Sequence, residues 1–244
     1  MNKFVTIIPA RSGSKSIPDK NILRLGKYPL IAYSIAAAKL SKYSSRVIVS
    51  TDSEKYASIA KDFGAEVPFI RPLNFSGDKS VDRDFLVHAM QWFLENESNL
   101  PEMWIHLRPT TPLRNPEIMD RAIDYFLKNP EATSLRSAHK APESPMKWFI
   151  KEKNYFKGFV DSQISNLPKE MFKETYIPNG YIDIVKSSNV MKNFNIHGNK
   201  ILAFSTPVVN EVDSIEEFEY ISFQLKKQNL TLQNYLDKIY KNGR

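Results

Sequence analysis

The chain contains no cysteine, which removes disulfides, thiolate metal ligands and cysteine nucleophiles and fits a reducing compartment. A long apolar run is missing too. The longest near-apolar stretch, residues 29–38, is interrupted by Tyr33 and Ser34, whereas a bilayer-spanning helix needs about 20 residues. The opening segment, residues 1–9, carries too short an apolar stretch for a secretory leader. Together these absences predict a cytoplasmic protein without membrane association. No basic run exceeds Lys226-Lys227, so the clustered footprint of a nucleic-acid binder is lacking. The four histidines have no metal-ligand spacing, and neither a Gly-x-Ser-x-Gly elbow nor a glycosidase acid pair is present.

What remains is an ordinary globular composition: 244 residues, 42% hydrophobic, with a net charge of +7. That length suits one domain, residues 1–244, and the excess positive charge suits a small polyanionic substrate. The first half alternates strand and helix patterns. Strands are expected at 3–10, 46–51, 66–71 and 103–107, with helices at 29–43, 53–63, 81–95 and 116–127. This rhythm predicts an α/β fold, a mostly parallel sheet flanked by helices, whose ligands gather at the carboxyl ends of the strands. Between 133 and 177 the segments shorten and mix aromatics, lysines and prolines, which predicts an inserted lobe. Late strands at 181–185 and 200–204 lead to two helices. The first begins at Ser214, with Glu217 completing a capping box.

Chemistry concentrates first in the loop after the opening strand, residues 9–21, which holds Arg11, Lys15 and Lys20 among three serines and Gly13. Backbone N–H groups with flanking cations can wrap phosphates, although the loop is neither a Walker loop nor a dinucleotide fingerprint. A solvated polar turn is the competing reading of the residues alone.

The opening loop, Ile8-Pro9-Ala10-Arg11-Ser12-Gly13-Ser14-Lys15-Ser16-Ile17-Pro18-Asp19-Lys20-Asn21, then Pro29-Leu30-Ile31, Ser50-Thr51-Asp52, Arg71-Pro72, Arg108-Pro109-Thr110-Thr111-Pro112-Leu113-Arg114, Pro178-Asn179-Gly180 and Glu211-Val212-Asp213 follow one another along the chain. In that order they resemble the acylneuraminate cytidylyltransferase family. The resemblance implies a Rossmann-like nucleotidyltransferase fold with an inserted dimerisation lobe, acting as a homodimer. It implies that CTP and an acidic 2-keto-3-deoxy sugar (sialic, legionaminic, pseudaminic or related) are joined to give CMP-sugar and pyrophosphate. Ala10, Arg11, Ser12, Gly13, Lys15, Lys20 and Asn21 would then hold the nucleotide, with Arg71 and Asp82 near the base. Arg11, Lys15 and Lys20 would stabilise the departing pyrophosphate.

Glu211 and Asp213 alternate, so on a strand their carboxylates would share a side. Paired hard oxygen donors facing a triphosphate suit Mg²⁺. The competing role for Asp213 is capping the helix that follows. On the sugar side the resemblance implies Arg108, Thr110, Lys147, Asn179 and Tyr181, and Arg108 could grip a sugar carboxylate through both guanidinium nitrogens. Arg108, Asp82, Asp183 and Glu211 all depart from the residues that the family usually carries. Two alternatives follow: an enzyme of the same fold using another nucleotide or a sugar phosphate, and a catalytically degenerate nucleotide-binding member.

Overall fold

A computed structural model describes residues 4–227 and 230–242. Lys3, expected to open the first strand, lies outside them. β1 (Phe4–Pro9) is buried along nearly its whole length, as an apolar run covered on both faces requires. After the polar loop a short hairpin, β2 (Arg24–Leu25) and β3 (Tyr28–Pro29), turns through Gly26, whose φ of 63° suits glycine. α1 (Leu30–Leu40) is apolar on nearly every side and buried accordingly. β4 (Arg46–Ser50) leads into α2 (Glu54–Asp62), capped by the Ser53 hydroxyl and stopped before Gly64 at φ 87°.

The strand expected at 66–71 does not form. Only two isolated bridges survive, Ile48 to Glu66 and Thr51 to Ile70, because Pro68 between them has no N–H to donate to a ladder. α3 (Asp82–Glu97), β5 (Met103–His106) and α4 (Pro116–Leu127) follow as expected. α4 is closed at its start by the Asn115 side chain, which accepts from the Glu117 N–H at 2.8 Å, with Pro116 at the first helical position.

β6 (Ser134–Lys140) then joins the central sheet. The excursion from the sheet therefore spans 141–175, a shorter lobe than the 133–177 that the change of composition predicts. It carries the hairpin β7 (Phe149–Glu152) and β8 (Tyr155–Gly158). The polar sequence Ser-Leu-Arg-Ser-Ala-His-Lys disguises β6 as lobe, but Ser134 and Ser137 are buried in the sheet. The chain returns in β9 (Tyr176–Lys186), turns through α5 (Ser187–Lys192), and adds the edge strand β10 (Ile201–Ser205). It closes with α6 (Ile215–Lys227) and α7 (Leu230–Asn242). The capping box is present: the Glu217 carboxylate accepts the Asp213 and Ser214 N–H groups at 2.8 Å each.

The sheet order is β10-β6-β9-β5-β1-β4, with every pairing parallel except those of β9. One face packs against α1, α2, α4, α6 and α7, the other against α3 and α5. β9 is irregular opposite β6. Its partner jumps from Asp183 to Pro178 between Arg136 and Ala138, and this bulge resets which side chains face which layer.

Fully buried Arg114 locks the bulge to the loop after β5. Its guanidinium donates to the main-chain carbonyls of Arg108, Gly180 and Tyr181 at 2.6–2.7 Å, to that of Thr111, and to Ser34 Oγ at 2.8 Å. Burial pulls its pKa down to about 9, so it remains charged at neutral pH. Arg114→Met would strand these carbonyls without donors. The expected loss is about 3 kcal/mol or more of unfolding free energy, read by urea denaturation.

Candidate active site

The polar loop after β1 lies at the carboxyl end of the parallel strands, where such sheets bind ligands. Three contacts fix its shape. Asp52, just beyond β4, accepts from the Ser12 N–H at 2.7 Å and from its hydroxyl at 3.0 Å. Asn21 donates to the Arg11 carbonyl at 3.0 Å, and the Ala10 N–H donates to the Ser50 carbonyl at 2.9 Å. Gly13, with φ 69°, has open space where a Cβ would stand. The loop forms one wall of an open cleft of about 500 Å³.

Arg11, Lys15, Lys20, Asn21, Arg71, Asp82, Arg108 and Thr110 all line that cleft. Its positive groups are met by protein carboxylates. Lys15 pairs with Asp78 at 2.6 Å and Arg11 approaches the same carboxylate at 3.7 Å. Lys20 Nζ reaches Asp213 Oδ1 at 2.9 Å. Arg71 differs from the rest. It is only 4% exposed, donates to the Ser50 carbonyl, and its Nε finds no hydrogen-bond partner. Burial lowers its pKa.

Glu211 and Asp213 flank buried Val212, whose N–H donates to the Thr110 carbonyl at 2.8 Å. The segment is irregular rather than a strand, yet that anchor turns Val212 inward between the two acids. Burial, with Asp213 adding repulsion, raises the pKa of Glu211. Among the described residues no group of three or more His, Asp or Glu could hold an ion alone. Two carboxylates nonetheless fit Mg²⁺, which commonly takes one or two from the protein and completes its shell with phosphate oxygens and water.

The far wall carries Arg108. Its Nη2 donates to Asp82 at 2.6 Å and its Nη1 to Asp183 at 3.1 Å, so its fork is engaged by the protein rather than open. Asp82, expected beside the base, is thus Arg108's partner. Beneath them His106 is 1% exposed, and neither ring nitrogen has a hydrogen-bond partner.

Three expected sugar contacts lie elsewhere. The Asn179 amide is spent on Ser137, Thr206 and His139 in the interior. Tyr181 is turned by the β9 bulge into the core layer of α1 and α4, with its hydroxyl against Asn115. Lys147 lies in the lobe, 3.7 Å from Glu143, and does not line the cleft. Conversely, the residues alone did not point to Asp52 or Asp78. Asp52 ends a parallel strand, a position that could have marked it, whereas Asp78 falls in a loop with no distinguishing spacing.

Burial pushes the His106 pKa down to about 4 from 6.5, helped by the charge of Arg108. The unfolded chain therefore binds more protons between these values, and folding stability falls as pH falls. The wild type is expected to lose on the order of 3 kcal/mol between pH 6.5 and 4 that His106→Gln retains, read by denaturant titrations at each pH.

Comparisons with known proteins bear on the family and the fold. A family model described as cytidylyltransferase matches residues 5–194. The N-acylneuraminate cytidylyltransferase of Escherichia coli is 30% identical over 237 residues, 96% of this chain and 55% of that protein. The chain thus spans about half the length of that relative. The pseudaminic acid cytidylyltransferase of Campylobacter jejuni is 25% identical over 92% of this chain and 97% of its own. Among solved structures, a CMP:2-keto-3-deoxy-manno-octonic acid synthetase complexed with CTP superposes with a TM-score of 0.70 at 17% identity, covering 92% of this chain and 99% of that one. That likeness shows a shared fold. With the family model covering most of its length, the chain belongs to the cytidylyltransferase family and is a nucleotidyltransferase.

Proposed function

We propose that the chain joins CTP to an acidic 2-keto-3-deoxy sugar of the sialic, legionaminic or pseudaminic kind, releasing pyrophosphate. The observation that supports this reading is the 2.9 Å contact between Lys20, which lines the cleft, and Asp213, which stands beside it without being among the lining residues. In the reaction the anomeric hydroxyl oxygen bonds to the α-phosphorus of CTP. The bond from that phosphorus to the bridging oxygen breaks, pyrophosphate leaves with the electron pair, and the hydroxyl proton passes to water. Catalysis of such a transfer is mainly positioning and electrostatic stabilisation.

Arg11, Lys15 and Lys20 exchange their carboxylate partners for phosphate oxygens and neutralise the departing pyrophosphate. The backbone of Ala10, Ser12 and Gly13 shapes the wrap, Asn21 orients the nucleoside, and Arg71, which lines the cleft, lies near the base. Asp213 and Glu211 would hold Mg²⁺, which when bound polarises the α-phosphate and offsets its charge. Arg108 and Thr110 face the sugar. The assembly in this reading is a cytoplasmic homodimer, supported by the exposed lobe aromatics Phe149, Tyr155, Phe156 and Phe159. No helix among the described residues is long and apolar enough to cross a membrane.

Pyrophosphate release is the direct assay, with CTP, Mg²⁺ and N-acetylneuraminic, legionaminic, pseudaminic and Kdo-type acids in turn. Release is expected with at least one acid and is abolished by chelation. Silence across the panel contradicts the proposal. Asp213→Ala is expected to lower kcat by about 100-fold or more. Its melting temperature is expected to fall somewhat, because Lys20, 12% exposed, loses its partner, so turnover is compared at a temperature where both proteins are folded. Near-normal turnover by this variant refutes the metal role.

A further inference from the structure

The two carboxylates on Arg108 are unlike each other. Asp183, in the middle of the sheet on β9, is 2% exposed, and besides its bond to Nη1 it has Arg136 Nε at 3.9 Å. It cannot leave without stranding buried charge, a loss that is strongly unfavourable. Asp82 is the first residue of α3, its side chain is 40% exposed, and it lines the cleft together with Arg108. Water can take over from Arg108 as the partner of this half-exposed carboxylate, whereas the guanidinium, 23% exposed, still needs an anion against it. The guanidinium therefore has one fixed anchor and one exchangeable partner, and the exchangeable side opens to the cleft.

Charge makes the same distinction. Arg108 and Arg136 stand against Asp82 and Asp183, and His106 below them is neutral at physiological pH. The group is balanced only while a carboxylate occupies the cleft side. If Asp82 swings to solvent, another anion is required in its place.

We propose that Asp82 is an internal stand-in for the carboxylate of the acidic sugar, which displaces it from Arg108 Nη2 while Asp183 holds the guanidinium in position. This inference rests on the proposed function and deepens it: Asp82 is a specificity-determining residue and Asp183 a positioning residue. An acidic substrate replaces one carboxylate with another and preserves the balance. A neutral ester of the same sugar cannot, and it meets the Asp82–Arg108 pair still closed.

The test is steady-state kinetics at saturating CTP and Mg²⁺ with whichever acid of the panel is turned over, and with its methyl ester. Removing the competing charge in Asp82→Asn is expected to lower the KM for the acid at least about threefold, the order of an exposed ion pair. The KM for CTP should not move with it. Asp82→Ser, which also removes the charge, should give the same direction, so the result does not depend on one variant folding. Asp183→Asn should raise the acid KM at least about tenfold. The ester should be poorly used by the wild type. A fall in KM is an outcome that mere structural damage does not produce. If the wild type turns over an acid but neither Asp82 variant lowers its KM, the exchange is overturned while the proposed function stands. If the wild type turns over no acid, the function is overturned and the exchange with it.

Discussion

One ion pair formed across 193 residues of chain, Lys20 with Asp213, ties the loop after β1 to the acidic segment. Lys20 has its side chain only 12% exposed, so its ammonium has few directions open to it. Asp213 is presented to it by two local devices. Val212 plugs into the core with its N–H on Thr110, and the Glu217 carboxylate caps the main chain at Asp213 and Ser214. On the other side, Asp52 and Asn21 hold the loop that bears Lys20. These anchors meet because β4, β1 and β5 are parallel neighbours in the central sheet and end at the same edge.

The same logic recurs around the cleft. Lys15 and Arg11 share Asp78, Lys20 has Asp213, and Arg108 has Asp82. Each of these acids is at least 40% exposed. A set of cations so arranged is stable without ligand and ready to trade exposed carboxylates for phosphate or carboxylate oxygens at small cost. Buried Arg114 and Asp183 serve the opposite purpose. They cannot exchange partners, and so they fix the frame on which exchange occurs.

Where a local rule governed a segment, its sequence was enough. α4 begins and ends where its apolar spacing predicts, and the capping box at Ser214 and Glu217 forms as expected. The loop after β1 was legible because cations, serines and a glycine followed a strand directly. The failures came from long-range effects. The bulge in β9 broke the alternation that would have aimed Tyr181 at the cleft. β6 was hidden because its polar residues read as surface, whereas Ser134 and Ser137 are buried and the Ser137 hydroxyl donates to Asn179, 42 residues away. Arg108, Asp82 and Asp183 stood out one by one in the sequence. Their mutual contact could not be read there, since they lie 26 and 75 residues apart and only the sheet register joins them.

Zero-length coupling tests the central contact most directly. A water-soluble carbodiimide activates an aspartate carboxylate, and an amine already in salt-bridge contact captures it as an amide. Peptide mapping of the treated protein is expected to find a Lys20–Asp213 cross-link, and CTP with Mg²⁺ is expected to suppress it by drawing the two side chains apart onto phosphate and metal. Failure of the link to form, or its persistence unchanged in saturating CTP and Mg²⁺, would contradict the claim that loop and acid meet at the nucleotide site.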